Sequence, residues 1–531
     1  MLISSTPGPF ALTGDFAQNN FVQQSGTPSL SWGASAGNPQ FDVKVVGSPG
    51  CTGGTAVYTS NGIASATPDG TANSLVIPAG NKLPDGGPYY LCVTAKGVNG
   101  SGDMTQSNDP HPVFYVESSS VHLLTRSVSG GGTHHIDYYK SNFSQLSDTH
   151  IETVESLDNS VNWFLDSLGL SLDSNNVAHI SYAKHNGNAY SLMYGHRTGG
   201  SFAAQLTDLY SGAGSYLAPT ASDEIGHRNS IVVDHNDADK VYISHKNHRV
   251  TATPSDDLSV QIDEGAGTNL SVVESMDRSG VYDTDLDVFD TSVAVDSSGN
   301  RHVVWIVKDI NDLGKYKLMY QKTGNASEEI SSGQCLDILK ADIAIDGNNQ
   351  AHVAYVCKNK FSSSTCTLAY KKQTGGVWDA ATETSVYDVI PAASGCTLAT
   401  VAEGADTYKP SVVTDSNHCP HVSSAYLSGA DKLVGYSRQT FSGTCQGFSA
   451  RTNPLSAKGS HTRITLDEFD YAYIAAIKDD ASLSAFVLSN NPSPDGSWNL
   501  NGSDDYLGGL IKAIGDIRID GTRGRNNYVA P

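Results

Sequence analysis

Val293-Ala294-Val295-Asp296, then His302-Val303-Val304-Trp305, then Lys317-Leu318-Met319-Tyr320, is the stretch whose reading decides the fold. A β-branched run ends on Asp296, and Ser297-Ser298-Gly299-Asn300 follows it. Those three residue types close tight turns, through side-chain bonds to their own backbone or through a permissive φ. A second apolar run opens on His302 and a third ends on Tyr320, so the segment reads as short antiparallel strands joined by tight turns.

The pattern repeats along most of the chain. Close copies are Leu170-Ser-Leu-Asp173 with His179-Ile-Ser-Tyr182, Ile343-Ala-Ile-Asp346 with His352-Val-Ala-Tyr355, and Val412-Val-Thr-Asp415 with His421-Val. Looser copies are Ile231-Val-Val-Asp234 with Tyr242-Ile, Ile464-Thr-Leu-Asp467 with Tyr473-Ile, and Ile517-Arg-Ile-Asp520 with Tyr528-Val. A third strand follows each pair except the second, as in Ser191-Leu-Met-Tyr194 and Thr367-Leu-Ala-Tyr370, and a weaker fourth comes after it. Four antiparallel strands in a unit of about 50 residues make a β-propeller blade. Seven anchor aspartates therefore predict seven blades. The last copy meets the chain end at Pro531 after two strands, while Thr133–Lys140 and His150–Val154 match the missing third and fourth. Closure is expected to be two-plus-two, with N-terminal strands joining the last blade and removing an open edge.

Residues 1–117 lack the repeat. Short alternating runs at Ser29–Trp32, Phe41–Val46, Ser74–Ile77, Tyr89–Ala95 and Val113–Val116, punctuated by Gly, Pro, Asn and Asp, predict a β-sandwich. Trp32 after Pro28-Ser-Leu-Ser, and Tyr90 two residues before Cys92, make this part resemble a fibronectin type III or immunoglobulin-like module. Over residues 118–531 the recurring strand, Asp, Gly/Asn turn and His-Val-x-Tyr resembles the broad sialidase-like group of bacterial propellers. The sialidase signature Ser-x-Asp-x-Gly-x-Thr-Trp is absent, so the resemblance implies the scaffold and not that chemistry. The expected fold class is all-β: an N-terminal β-sandwich followed by a seven-bladed β-propeller.

The chain has 531 residues, 33 Lys+Arg against 55 Asp+Glu and a net charge of −22. Such a balance argues against nucleic acid as a partner, since phosphate neutralisation supplies most of that affinity. No apolar run approaches the ~18 residues of a membrane span, so membrane insertion is not expected. Eight cysteines lack zinc-like spacing. They read as four disulfides of an extracytoplasmic protein, secreted or at the cell surface, whose leader is not present in this chain; eight free thiols are the weaker reading. Placement on strands and loops predicts Cys51–Cys92, Cys335–Cys396, Cys357–Cys366 and Cys419–Cys445.

The recurring Asp and His invite a catalytic interpretation, but a feature repeated at one hairpin of several blades is turn capping beside a packed ring. Function is sought where the repeat breaks. Blade two reads Gly226-His227-Arg228-Asn229 before its first strand and His245-Lys246-Asn247-His248-Arg249 at the end of its second. Antiparallel pairing brings these ends together, so His227, Arg228, His245, His248 and Arg249, with Tyr216 from the preceding loop, are the candidate ligand-binding residues. His227, His245 and Arg228 are the catalytic candidates, because the arrangement resembles propeller lyases of the ulvan-lyase type, in which His, Tyr and Arg remove the proton beside a uronate carboxylate. Asp283, Asp285 and Asp287 alternate hard oxygen ligands that suit a structural calcium, although the EF-hand pattern fails; no other cofactor is implied. Asp342, Arg463, Asp516 and Arg518 are charges at channel-lining positions; Arg463 and Asp516, at equivalent sites on adjacent blades, are expected to form a structural ion pair, a channel-mouth ligand contact being the weaker reading.

These features predict an exported bacterial surface recognition or adhesion protein. The expected partner is a carbohydrate or another cell-surface ligand, bound on the propeller's loop face. An acidic-polysaccharide lyase is one alternative, and a structural subunit assembling with other surface proteins is another.

Overall fold

The structure, a computed structural model, is all-β. It describes residues 11–12, 21–23, 28–33, 40–47, 56–64, 73–78, 81, 83, 86–96, 104–105, 113–116, 120–129, 132–142, 150–157, 168–185, 190–198, 200–202, 207–208, 224–248, 258–266, 269–276, 282–283, 290–309, 315–331, 335–359, 364–378, 384–394, 396, 407–454, 458–467, 470–478, 485–489, 499–500 and 510–519. Contacts divide the chain into two units, one being Met1–Ser119 with Asn142–Ser144 and Asn491–Ser497, the other the remainder.

In the first unit Phe21–Gln23, Val113–Val116, Gly86–Lys96, Gln40–Val46 and Ala56–Ala64 lie side by side in that order, with Met104–Thr105 also on Gly86–Lys96. Ser29–Trp32 pairs separately with Asn73–Val76. Alternation decides which side chains go inside: Phe41, Val43 and Val45 from the large sheet meet Leu30 and Trp32 from the small one in a single core. Trp32 and Phe41 meet edge to face with ring centroids 5.5 Å apart. Cys92 is disulfide-bonded, and its expected partner Cys51 lies outside the described residues.

Among the described residues the second unit contains seven sheets of four or five strands. Their innermost strands are Leu168–Leu172, Glu224–Asp234, Thr291–Val295, Cys335–Ile345, Ser411–Thr414, Gly459–Leu466 and Leu510–Ile519. Each packs against the next, and Leu510–Ile519 packs against both Gly459–Leu466 and Leu168–Leu172, which closes the ring of a propeller. Blade two carries a third strand, Leu258–Ala266, and a fourth, Asn269–Met276.

Closure departs from the expected two-plus-two. Leu510–Ile519 is the only C-terminal strand described in blade seven; the others are Ser120–Val128, His134–Asn142 and His150–Leu157. The reason is visible at His122, which lies opposite Arg518. Its Nδ1 hydrogen-bonds with the Tyr138 hydroxyl at 2.6 Å, so Val121-His122-Leu123-Leu124 plays the part expected of Tyr528-Val. The segment around Tyr528 lies outside the described residues.

The repeated Asp and His form a buried hydrogen-bond set that holds each hairpin. Asp296 Oδ1 accepts the amides of Ser298 and Asn300 at 2.9 Å, closing the turn. Its Oδ2 accepts from His302 Nε2 at 3.3 Å, and His302 Nδ1 accepts the Tyr320 hydroxyl at 2.8 Å. A carboxylate only accepts, so Nε2 carries a proton, and burial pushes the ring's pKa below its ordinary value. The histidine–tyrosine bond recurs at His179–Tyr194, His352–Tyr370 and His421–Tyr436. In blade six Tyr473 donates directly to Asp467 at 3.0 Å.

Two cysteine pairs also differ from expectation. The bonds are Cys335–Cys357 and Cys366–Cys396, with Cα atoms 5.6 and 5.3 Å apart, and not Cys335–Cys396 and Cys357–Cys366. Cys357 lies opposite Thr367 and Cys366 opposite Lys358. Directly opposed residues share a face, so the one-residue offset turns Cys357 and Cys366 to opposite faces. Cys419–Cys445 forms as expected.

Candidate functional site

Blade two was the expected site. Its first two strands pair with His227 opposite Lys246 and Glu224 opposite His248, with register shifts on either side of His227. Arg228 sits in the resulting bulge at a left-handed φ of 55°, a strained conformation for a side chain other than Gly. Its carbonyl accepts from Thr291 Oγ1 at 2.9 Å, and Asn229 Oδ1 accepts from Ser181 Oγ at 2.7 Å. The side chains of His227 and His248 lie outside the described part, as do Tyr216 and Arg249 entirely. His245 has no exposed surface, and its Nδ1 donates to the Lys246 carbonyl at 3.0 Å. It occupies the repeat position of Tyr182, Trp305 and Tyr355, all of them buried core residues. A base acting on a polymer must reach it, and His245 reaches only the interior.

For the calcium candidates, Asp283 pairs its backbone with Lys308, its side chain is outside the described part, and so are Asp285 and Asp287. Among the described residues no group of three or more His, Cys, Asp or Glu could hold a metal ion.

The structure draws attention to a neighbouring set at the mouth of the ring, where the innermost strands begin. Six residues before the anchor aspartate stand Arg228, Asp290, Lys340, Lys409 and His461 in blades two to six. Lys409 Nζ of blade five reaches Asp290 Oδ1 of blade three at 2.6 Å. Blade four lies between them, so the pair spans an interval of the ring and its side chains converge on the opening. Asp290 Oδ2 also accepts the Ala341 amide at 3.1 Å, which locks the carboxylate to blade four. Asp290, Lys340 and Lys409 are all buried. His461 repeats the left-handed backbone of Arg228, at φ 56°.

One step further into the ring, polar side chains tie successive blades together. The innermost strand of a blade has one edge without a strand neighbour, so its amides need other acceptors. Ser171 Oγ accepts from Val233 N, Ser230 Oγ from Val293 N, Asp342 Oδ2 from Val412 N and Ser411 Oγ from Ile464 N, at 3.0–3.4 Å. Asp342 Oδ1 takes the Ser292 hydroxyl at 2.8 Å. Asp342 is thus a bracket between blades. Arg463 holds the equivalent position in blade six, buried, with Nη1 donating to the Thr462 carbonyl at 2.9 Å. The Asp516 side chain lies outside the described part. The sequence signal that could have found this set was a fixed offset of six residues before the anchor aspartates.

No protein-family model matches the chain, and none of the curated proteins compared with it does. Solved structures that overlap with it include an α-L-arabinanase of Penicillium chrysogenum complexed with arabinobiose, 8% identical, covering 68% of this chain and 94% of the other, TM-score 0.42. Another is the GH93 α-L-arabinofuranosidase of Fusarium graminearum, 9% identical, covering 61% and 92%, TM-score 0.39. A third is a polysaccharide lyase, the PL25 ulvan lyase, 12% identical, covering 72% and 92%, TM-score 0.39. Overlaps of this size carry no weight for activity, and the architecture stands on the chain's own sheet order.

Proposed function

We propose that the chain is an exported recognition protein whose propeller binds a carbohydrate at the mouth of the ring, the N-terminal unit serving as a spacer of fibronectin type. The observation that carries this is the Lys409–Asp290 pair, which joins blades three and five at a position that also holds polar residues in blades two, four and six. Fixed, directional donors of that kind suit a polyhydroxylated ligand, for which orientation comes from a few placed polar groups on a rigid frame. Three disulfides in the ring support an oxidising compartment. Among the described residues no helix is long and apolar enough to cross a membrane. A lyase reading draws no support from His245, which is sealed in the core. The test is a glycan array probed with the protein and with Lys409→Met. Retention of one glycan class by the parent and its loss in a folded variant is the expected result. A correctly folded parent that retains no glycan overturns the reading.

A further inference from the structure

Blade seven breaks the repeat one strand out from the mouth. Four residues beyond the repeated His or Tyr of strand two, blades one, three, four, five and six carry Ala183, Ile306, Val356, Ala425 and Ile477. Each is no more than 4% exposed. Blade two has Lys246 at this position, and blade seven has Arg126, four beyond His122. Arg126 lies opposite Ala513, seven residues before Asp520, and so stands level with the mouth of the ring. Alternation puts it on the face of Leu124, which shares one core with Ile136 of the next strand and with Leu168 and Tyr182 of blade one. A half-buried guanidinium thus occupies the rim of the boundary between blades seven and one, in a place that five other blades fill with an apolar side chain.

Taking a charge out of water costs stability unless an opposite charge faces it. No described carboxylate does so here. The hydrogen bonds of Arg126 among the described residues go to His134 alone, with Nε at 3.2 Å and Nη2 at 2.7 Å both donating to Nδ1. An imidazole that accepts at Nδ1 brings no negative charge. Glu155, opposite Ile136 on the neighbouring strand, takes the Tyr182 hydroxyl and the Lys184 ammonium of blade one. Asp137 accepts the Ser127 and Thr153 hydroxyls at 2.6 and 2.8 Å, on the other face. Burial accordingly pushes the Arg126 guanidinium down to about 9. His134 holds the guanidinium by one edge and leaves Nη1 to a ligand. Resting on the carbohydrate reading, we propose that Arg126 binds an anionic group of the saccharide at the mouth, a carboxylate or a sulfate ester, with His134 as its positioning residue.

The position makes the variant informative. Arg126→Met puts an apolar side chain where five other blades have one, so it should fold and melt no lower than the parent, and its cost should appear in binding alone. Oligogalacturonate is compared with its methyl ester, a pair of similar shape that differs in charge, and with a sulfated oligosaccharide of similar length. Binding is read by calorimetry and by the ligand-induced rise in melting temperature. The parent is expected to prefer the free acid or the sulfated sugar over the ester by about tenfold or more. Arg126→Met should lose that preference and keep its affinity for the ester, while Arg126→Lys, a charge without the planar fork, should retain part of it. Whichever acidic probe binds identifies carboxylate or sulfate as the group read. Equal affinity of the parent for acid and ester, or a preference that survives in Arg126→Met, overturns the proposal and leaves the carbohydrate reading in place. Conversely, inorganic sulfate or free glucuronate that stabilises the parent but not Arg126→Met, with no oligosaccharide retained, keeps the anion site and removes the carbohydrate. A parent that responds to neither oligosaccharide nor free anion overturns both. Should Arg126→Met fail to fold, Arg126→Gln gives the same comparison.

Discussion

Asp346 and Asp234 occupy the same place in different blades, and their surroundings set them apart. Asp346 is buried, which alone would raise its pKa, but the His352 bond at 3.0 Å and nearby charges and amides outweigh burial and hold it at about 2. Blade two has Tyr242 where blade four has His352, and Asp234 Oδ2 is buried without a hydrogen-bond partner among the described residues. Burial raises the pKa of Asp234 accordingly. Asp346→Asn is therefore expected to destabilise the protein by about 1–2 kcal/mol, because one of the groups facing Oδ2 would then meet an NH2. Asp234→Asn should be neutral or stabilising, and urea unfolding of the two variants at neutral pH checks the contrast. A pH dependence follows as well. Burial pushes His302 and His352 below their ordinary 6.5, against the opposing bonds of Asp296 and Asp346. Protons go first to the unfolded chain, so stability falls as pH drops below 6.5, and falls again between 3.8 and about 2 as Asp346 is protonated. Asp234, with its raised pKa, acts in the opposite sense but alone. The melting temperature should be lower at about pH 5 than at about pH 7.5; a flat profile would mean that the histidines are not buried in the neutral form. These sets were legible in the sequence as Asp and His at a constant spacing. Their tyrosine partners were visible only as strand ends, because strand three comes into register through the sheet and not through local spacing.

Among the elements, blade four shows how far a strand's existence outruns its register. The strands carrying Cys357 and Cys366 were readable from alternation, yet two of the disulfides were not. Cys335 belongs to a long first strand, Cys335–Ile345, bulged twice, so that it runs beside Asn359 where a loop was expected. Bulges depend on what packs across the strand, and nothing in a short run of residues announces them. Peptide mapping by mass spectrometry should recover Cys335–Cys357 and Cys366–Cys396; a Cys357–Cys366 peptide would contradict the register of the whole hairpin. Replacing both Cys366 and Cys396 with Ala should cost about 3.6 kcal/mol, the loop-closure value for a separation of 30 residues, read as a shift of the urea midpoint. A comparable uncertainty in register hid the mouth of the ring. Arg228 and His461 lie in bulges, where the alternation that marks a strand is interrupted.

At the scale of the molecule, the ring depends on one strand from near the end of the chain. Leu510–Ile519 pairs with Ser120–Val128 on one side and packs against Leu168–Leu172 and Gly459–Leu466 on the other. The outer strand of the same blade also grips blade one. Glu152 accepts from Ser201 Oγ at 2.6 Å and from the Phe202 amide at 2.9 Å. Glu155 takes the Tyr182 hydroxyl and the Lys184 ammonium. These contacts join blade seven to blade one, but they do not replace the innermost strand. A chain ending at residue 509 would leave Ser120–Val128 with an unpaired edge and uncover Val121, Leu123 and Leu124, all buried in the intact ring. Such an edge, long and apolar, recruits other strands. The truncated protein should therefore elute ahead of the full chain as mixed oligomers and melt well below it, and a peptide of residues 510–531 added in trans should restore the elution volume. If the truncated chain instead elutes and melts like the parent, the last strand is dispensable and the ring is held by the glutamate contacts alone. The seven-unit count was legible because each hairpin repeats the same turn chemistry. The division of blade seven between the chain ends was not, since strand two is decided by which segment, Val121–Leu124 or the one around Tyr528, brings a histidine to the Tyr138 hydroxyl, a contact that only the assembled sheet defines.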